Sequence, residues 1–277
     1  MKKKLGSISV NPVFVQPDFV FPETVEDVSA DIRRVIFPGG FSCYTPGEFG
    51  EASLIYNEIM VKQEYFQYGL SVAGARCVLD VGANIGIFTL AVKLKAPDAT
   101  VYAFEPIQDT FQVLERNVRS HGWSDVHMYN VAIGSQDHTE KAFTFYPHAP
   151  GNSTATPALK LATRPAMDQI FGKEGSDFIF ESESRVAKVR TLSSVIQELG
   201  ITSIDYLKID VEGDELSVLE GIAEMHWPII RQVVVETHTE QLREQVSEYL
   251  VCRSFEVYTG SGLSSPTGVS NVYASRS

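Results

Sequence analysis

Cysteine is scarce and unpatterned. Cys43, Cys77 and Cys252 stand in neither CxxC nor Cys/His spacing, which argues against a disulfide framework and a zinc site. Basic residues are outnumbered, 23 Lys and Arg against 35 Asp and Glu, for a formal net charge of −12. That balance would repel a phosphate backbone, and no basic stripe with interleaved aromatics appears, so no nucleic-acid partner is expected. Long apolar runs are missing as well. None approaches the roughly 20 residues that span a bilayer, and Met1-Lys-Lys-Lys-Leu-Gly6 opens no secretory signal. No membrane partner and a cytoplasmic location are the expectations. What is present is a chain of 277 residues, 44% apolar and 21% charged, with enough material for one large α/β domain carrying an elaboration.

Residues 1 to about 45 carry Pro12, Pro17, Pro22 and Pro38 among β-branched and aromatic residues, which predicts an extended arm or a few short strands. Beyond Pro46, Ala52, Ile55, Ile59 and Met60 recur at helical spacing among acids. They predict an amphipathic helix over roughly 48–67 that covers the core, as a lid touching substrate or as a plain packing element. The division is thus an arm and lid helix, 1–70, and a core, 71–277. Predicted core strands at 77–81, 100–104, 126–131, 204–209 and 232–235 alternate with helices at 85–94, 110–119, 192–199, 214–222 and 240–250. That rhythm indicates a doubly wound, mostly parallel sheet. Thr191 is placed to cap the third of these helices and Gly200 to stop it. Late strands at 255–258 and 271–274, around a Gly/Ser turn, would form the antiparallel end of the sheet. The rhythm breaks over 133–190, where one hairpin strand, 141–146, precedes a long polar segment, 147–184, read as a functional loop or insertion.

The first core strand ends in Asp80-Val-Gly82-Ala-Asn84-Ile-Gly86, a strand, a tight glycine turn and a helix. In an open α/β sheet such turns sit at the carboxyl ends of strands, where ligands bind. The other strand ends carry Glu105, Asn130, Asp210 with Glu212, and Glu236 with His238. This acidic set holds no arginine or lysine for a pyrophosphate. The spacing also departs from GxGxxG, with an acid leading. Asp80 would oppose a phosphate and favour the amino group and sulfonium of S-adenosylmethionine, while Glu105, about twenty residues on, suits the ribose hydroxyls. A sulfonium cofactor is therefore preferred to a nicotinamide.

Six blocks, Leu79-Asp-Val-Gly-Ala-Asn-Ile-Gly-Ile-Phe-Thr89, Phe104-Glu-Pro106, Asn130-Val-Ala132, Thr191-Leu192, Lys208-Ile-Asp-Val-Glu-Gly-Asp-Glu215 and Val235-Glu-Thr-His238, together resemble the FkbM-type family of S-adenosylmethionine-dependent methyltransferases. Tyr56-Asn-Glu-Ile59 and the Trp227-Pro228 to Arg231-Gln232 stretch are similar to members that tailor natural products. The resemblance covers about residue 50 to the end. It implies a class I, Rossmann-like α/β fold with seven strands in the order 3-2-1-4-5-7-6, and an oxygen nucleophile. It also implies that Asp80, Gly82, Ala83, Asn84 and Gly86 surround the amino-acid end of the cofactor, with Asp210 nearby. Glu105 and Pro106 would take the ribose, and Asn130, Val131 and Ala132 would flank the adenine. Asn152-Ser153-Thr154 matches more loosely a stretch that approaches the cofactor.

Transfer to a neutral hydroxyl needs a base. His238, just beyond the fifth strand, is the candidate; the alternative is an exposed histidine at a helix start. Asp210, Glu212 and Glu236 would shape the acceptor site, orient His238 and Lys208, or cap the following helices. They could also bind Mg²⁺, but no neutral Asn or adjacent Asp pair accompanies them, which favours metal-free work. Lys208 and Glu215 are read as structural. The acceptor would be a small molecule, free or carrier-bound, and the −12 charge disfavours an acidic carrier. An amine acceptor and a non-catalytic cofactor-binding scaffold stay as alternatives.

Overall fold

A computed structural model describes residues 3–5, 8–10, 18–47, 50–260 and 268–276 of the chain. β1 (Lys3–Leu5) and β2 (Ile8–Val10) pair antiparallel, and β3 (Thr24–Asp27), β4 (Ile32–Ile36) and β5 (Ser42–Pro46) form a three-stranded antiparallel sheet. α1 (Gly50–Tyr56) runs on through a π-helical turn, Asn57–Val61. The cover helix therefore ends before the predicted residue 67. Gln63 takes a left-handed φ of 53°, which stops the helix, and a short 3₁₀ turn over Glu64–Phe66 follows. Ala52 and Ile59 of the predicted stripe are buried and Ile55 and Met60 half-buried. Tyr56 stacks on Phe37 of the arm with ring centroids 3.9 Å apart, so arm and cover share one apolar cluster with the core.

The core follows as β6 (Cys77–Val81), α2 (Ile87–Lys95), β7 (Thr100–Phe104), α3 (Gln108–His121), β8 (Val126–Tyr129), β9 (Ala132–Ile133) and β10 (Thr139–Phe145). α4 (Pro157–Ala162), α5 (Arg164–Ile179), β11 (Glu183–Arg190), α6 (Leu192–Leu199), β12 (Tyr206–Ile209) and α7 (Glu215–Glu220) come next. β13 (Gln232–Thr237), α8 (Glu240–Val251), β14 (Glu256–Thr259) and β15 (Ser270–Ser275) complete it. Seven strands form one sheet in the order β14-β15-β13-β12-β6-β7-β8, with only β15 antiparallel to its neighbours. Counted along the core, that is the expected 3-2-1-4-5-7-6. All four residues of β12 are buried, as in a sheet covered by helices on both faces. The expected caps form: Thr191 Oγ1 accepts from Ser194 N at 3.1 Å, and Gly200 closes α6 at φ 64°. The predicted Gly/Ser turn falls largely on 261–267, outside the described residues.

The segment 147–184, read as a functional loop or insertion, contains two helices that the sequence reading did not place, α4 and α5. Its helices lie on the outside. α4 buries no residue and α5 only Ser176 and Ile179, so no apolar face is written into the sequence for a periodicity argument to find. β11, likewise unpredicted, pairs antiparallel with the whole of β10 and, at its end, parallel with β9.

Candidate functional site

The glycine turn is fastened to the end of the neighbouring strand. Gly82 and Ala83 donate their N–H groups to the Phe104 carbonyl at 3.0 and 2.9 Å. Gly82, Asn84 and Gly86 have φ of 76°, 49° and 91°, a region that glycine and asparagine tolerate best. A methyl group at Gly82 would also run into the Asp210 carbonyl. Glu105 is 6% exposed and ties the turn to its own loop, accepting from Asn84 N at 3.0 Å and Ile107 N at 2.9 Å. Burial pushes its carboxyl up to about 7 against the pull of those two donors. Asn130 Nδ2 donates to the carbonyls of Glu105 and Pro106 at 2.9 and 3.1 Å, so it holds the loop and does not line the cleft.

A cleft opens over these strand ends. Gly82, Asn84, Glu105 and Asp210 form its polar side, Pro106, Ile107, Val131, Ala132 and Phe143 an apolar slot, and Gly151 and Ser153 approach from the segment before α4. Asp80 is not on its surface. Asp80 and Lys208 are directly paired across β6 and β12, so their side chains share a face, beneath the turn. Asp80 is fully buried, accepts from Thr89 Oγ1 at 2.7 Å, and lies 3.3 Å from Lys208 Nζ. That ammonium donates to the Gly82 carbonyl at 2.6 Å and reaches Asp210 Oδ2 at 3.4 Å. Burial works against its charge, but Asp80, Asp210 and Glu236 outweigh it and raise its pKa. The expected direct approach of Asp80 to a sulfonium is therefore revised: Asp80 and Lys208 neutralise each other and position the turn.

A second group of charges converges beside Asp210. His238 lies with Nε2 2.7 Å from Glu212 Oε2 and 3.7 Å from Glu236 Oε1, and Nδ1 3.3 Å from Glu215 Oε1. Burial opposes its charge, yet Glu212 and Glu215 prevail and hold the ring well above the usual imidazole range. These carboxylates favour the charged ring, and an imidazolium has no lone pair with which to take a proton, which works against His238 as the resting base. Glu212 feels burial too, but His238 and Lys160 outweigh it and bring the carboxyl down to about 2. Glu236 goes the other way, raised by burial and by Asp210.

Several contributors escaped the sequence reading. Tyr65 Oη lies 2.8 Å from Glu236 Oε2 and 3.1 Å from Asp210 Oδ2; it has one proton to donate, so it serves one carboxylate at a time. Lys160 of α4 pairs with Glu212 and donates to Asn152 Oδ1 at 3.0 Å. Lys141 pairs with Asp214 at 2.5 Å. The strand ends thus gain one lysine from the predicted hairpin strand and one from the segment read as a loop or insertion. From the cover, Glu58 is pushed up to about 8 by burial and by Glu64, and Glu51 up to about 7 by burial. His121, His127, His148 and His226 are engaged elsewhere, against Trp123, Tyr102, Phe178 and Ser193.

A family model described as the methyltransferase FkbM domain matches residues 80–256. The chain belongs to the FkbM methyltransferase family. It is 36% identical to methyltransferase sdnD of Sordaria araneosa over 218 residues, covering 75% of this chain and 83% of that one. It is 34% identical to methyltransferase 1 of Beauveria bassiana, covering 74% and 81%. To 31-O-demethyl-FK506 methyltransferase FkbM of Streptomyces tacrolimicus it is 36% identical, covering 68% and 75%. The FkbM match takes in the turn, Glu105, Lys160, Asp210 and His238, whereas Glu51, Glu58 and Tyr65 of the cover lie before it. Among the described residues of this family member, no helix is long and apolar enough to cross a membrane.

Proposed function

We propose that the protein is an S-adenosylmethionine-dependent O-methyltransferase acting on a hydroxyl of a natural-product intermediate, a small molecule either free or held on a carrier. The cleft's donor set fits the cofactor. Glu105 suits the two ribose hydroxyls, the slot of Ile107, Val131 and Phe143 suits a flat adenine, and Gly82, Asn84 and Asp210 supply acceptors at the end where an amino acid with an ammonium would lie. When bound, the cofactor supplies a methyl group on a sulfonium, an electrophile that needs only an aligned nucleophile.

The observation that carries the oxygen-acceptor reading is Glu236. Its carboxyl sits at the end of β13, against Tyr65 and Asp210, in surroundings that raise its proton affinity above the ordinary carboxylate range, the direction that makes a carboxylate a stronger base. In this reading Glu236 takes the hydroxyl proton. His238 keeps the neighbouring Glu212 and Glu215 paired, and Tyr65 fixes the rotamer of the Glu236 carboxylate. The relative named for 31-O-demethyl-FK506 supports oxygen as the acceptor atom. An amine acceptor is the second reading, favoured by the surplus of carboxylates at Glu58, Asp210 and Glu236, which would hold an ammonium before its deprotonation.

The test is incubation with methyl-labelled cofactor and candidate hydroxylated or amino acceptors, with fragmentation of the product. Label on oxygen is expected. Label on nitrogen would replace the first reading with the second, and failure of transfer to any acceptor, with the cofactor bound, would leave a scaffold.

Asp210, Glu236 and His238 can bring three donor atoms within 4.8 Å of one another, a set able to hold a divalent cation. The cluster, however, already has cations of its own in Lys208, Lys160 and the His238 ring. We therefore expect methyl transfer to survive exhaustive chelation, with the rate unchanged on adding back Mg²⁺ or Mn²⁺. A rate that falls on chelation and returns with either metal would show that an ion displaces the His238 proton.

A further inference from the structure

Four residues stand in one row across the sheet, from the glycine turn outward. Lys208 pairs with Asp80 on one side and with Val234 on the other, so two residues further along each strand Gly82, Asp210 and Glu236 come level. Glu236 in turn pairs with Asn271 of β15. Directly opposed residues share a face. On this face lie the paired Val234 and Tyr273, which pack into the apolar cluster shared with the cover. The row Gly82, Asp210, Glu236 and Asn271 therefore follows the carboxyl edge of the parallel strands beneath the cover, with Asn271 farthest from the turn.

Asn271 brings to this row a buried acceptor without a donor. The residue is 7% exposed, and its Oδ1 has no hydrogen-bond partner among the described residues. Tyr273, two positions on, fixes which way the amide points. Tyr273 Oη donates its one proton to the Glu64 carbonyl at 2.6 Å, so toward Asn271 that oxygen can only accept. Burial raises the Tyr273 phenol to about 12, and the hydrogen bond from Asn271 opposes the rise. Asn271 Nδ2 is thus engaged by Tyr273, and Oδ1 is left over beside Glu236. Asp210 Oδ1, on the other side of Glu236, also lacks a partner, whereas Glu236 Oε2 is held by Tyr65 at 2.8 Å. A buried amide oxygen left without a donor is costly, and nothing in the base chemistry assigned to Glu236 uses it.

Resting on the reading of Glu236 as the base, we propose that Asn271 is a specificity residue for the acceptor, whose second hydroxyl donates to Oδ1. The acceptor is then a diol, methylated at the hydroxyl over Glu236 and held by the one over Asn271. Adjacent strands lie about 4.8 Å apart, a spacing that hydroxyls on neighbouring carbons, or on carbons separated by one more, can bridge. The carboxamide carries no charge, so it selects a neutral donor. The order along the row also suits the reaction: cofactor turn, reacting oxygen, then anchor.

The experiment compares kcat/KM of the full chain, with methyl-labelled S-adenosylmethionine, for three probes: butan-1-ol, butane-1,2-diol and butane-1,3-diol. Wild type should favour at least one diol over the mono-alcohol by roughly 10- to 100-fold, the effect of leaving one buried acceptor unpaired. Asn271→Leu, which fills the space without an acceptor, should bring that ratio close to one. Asn271→Asp, which keeps an acceptor oxygen, should retain the preference. The ratio is taken within each variant, so a loss of folding or of the base, which lowers all three rates together, does not imitate the result. Equal rates for the three probes in wild type would overturn the inference. So would an unchanged ratio in Asn271→Leu, whether the rates fall together or the pH profile moves, because Asn271 would then serve only the fold or Glu236. A wild-type chain that binds S-adenosylhomocysteine but methylates none of the probes would instead overturn the oxygen-acceptor reading, and this inference with it.

Discussion

Replacing Glu236 by Gln is expected to lower kcat by about 10²- to 10⁴-fold, the usual contribution of a positioned general base, with S-adenosylhomocysteine still bound. Gln keeps the volume and the hydrogen bond to Tyr65 but takes no proton. The pH dependence follows from the direction of the shift. Because burial and Asp210 raise the Glu236 pKa, its base form is scarce in acid and accumulates as pH rises, so kcat in wild type should climb with pH through a range above that of an ordinary carboxylate. The apparent midpoint belongs to the group Asp210, Glu236 and His238 together. Glu236→Gln should flatten that limb, a change that single-turnover rates measured across pH would read. A variant with wild-type kcat and an intact limb would return the search for the base to Glu58, the other cluster carboxyl held high, at about 8.

Lys208→Met should destabilise the fold by about 3–5 kcal/mol, the range for removing one partner of a buried ion pair. At roughly 2–4 °C per kcal/mol for a chain of this size, the melting temperature should drop by about 10 °C. The Lys208 side chain is 4% exposed and that of Asp80 0%, so the stranded Asp80 carboxylate finds no water, and the Gly82 carbonyl loses its donor as well. The Lys208 pKa is raised in the folded state. Its stabilisation is thus complete below the unfolded-state lysine value of about 10.4 and fades only as pH rises through the higher folded value. The deficit should accordingly appear in full at neutral pH. Asp80→Asn added to Lys208→Met should recover part of it, because the stranded charge is then gone. Calorimetric melting of the single and double variants checks this; a Lys208→Met protein that melts with wild type would remove Lys208 as the counter-charge of the turn.

These two residues mark where reading the chain stopped being sufficient. Lys208 was legible as deep and structural from strand alternation alone, two positions before Asp210 on the same face. Its partner was not, because pairing of Asp80 with Lys208 is a register across β6 and β12, not a spacing along the chain. His238 was legible as a residue at a strand end, but its protonation depends on Glu212 and Glu215, which follow the neighbouring strand β12.

The sequence by itself determined what neighbours a few residues apart can enforce. It specified the strand, glycine turn and helix at Val78 to Thr89, the capped α6 between Thr191 and Gly200, the placing of Glu105 to meet the turn, and, by resemblance, the strand order. Tertiary structure alone decided which charges meet. Tyr65 reaches Glu236 across 171 positions, Gly151 reaches Glu51 across 100, and Lys160 comes down on Glu212 from a helix with no buried face of its own. Backbone preferences act through bonded neighbours and are written locally. Coulomb energy and desolvation depend on distance through space and on burial, so they come into being only once the chain has folded.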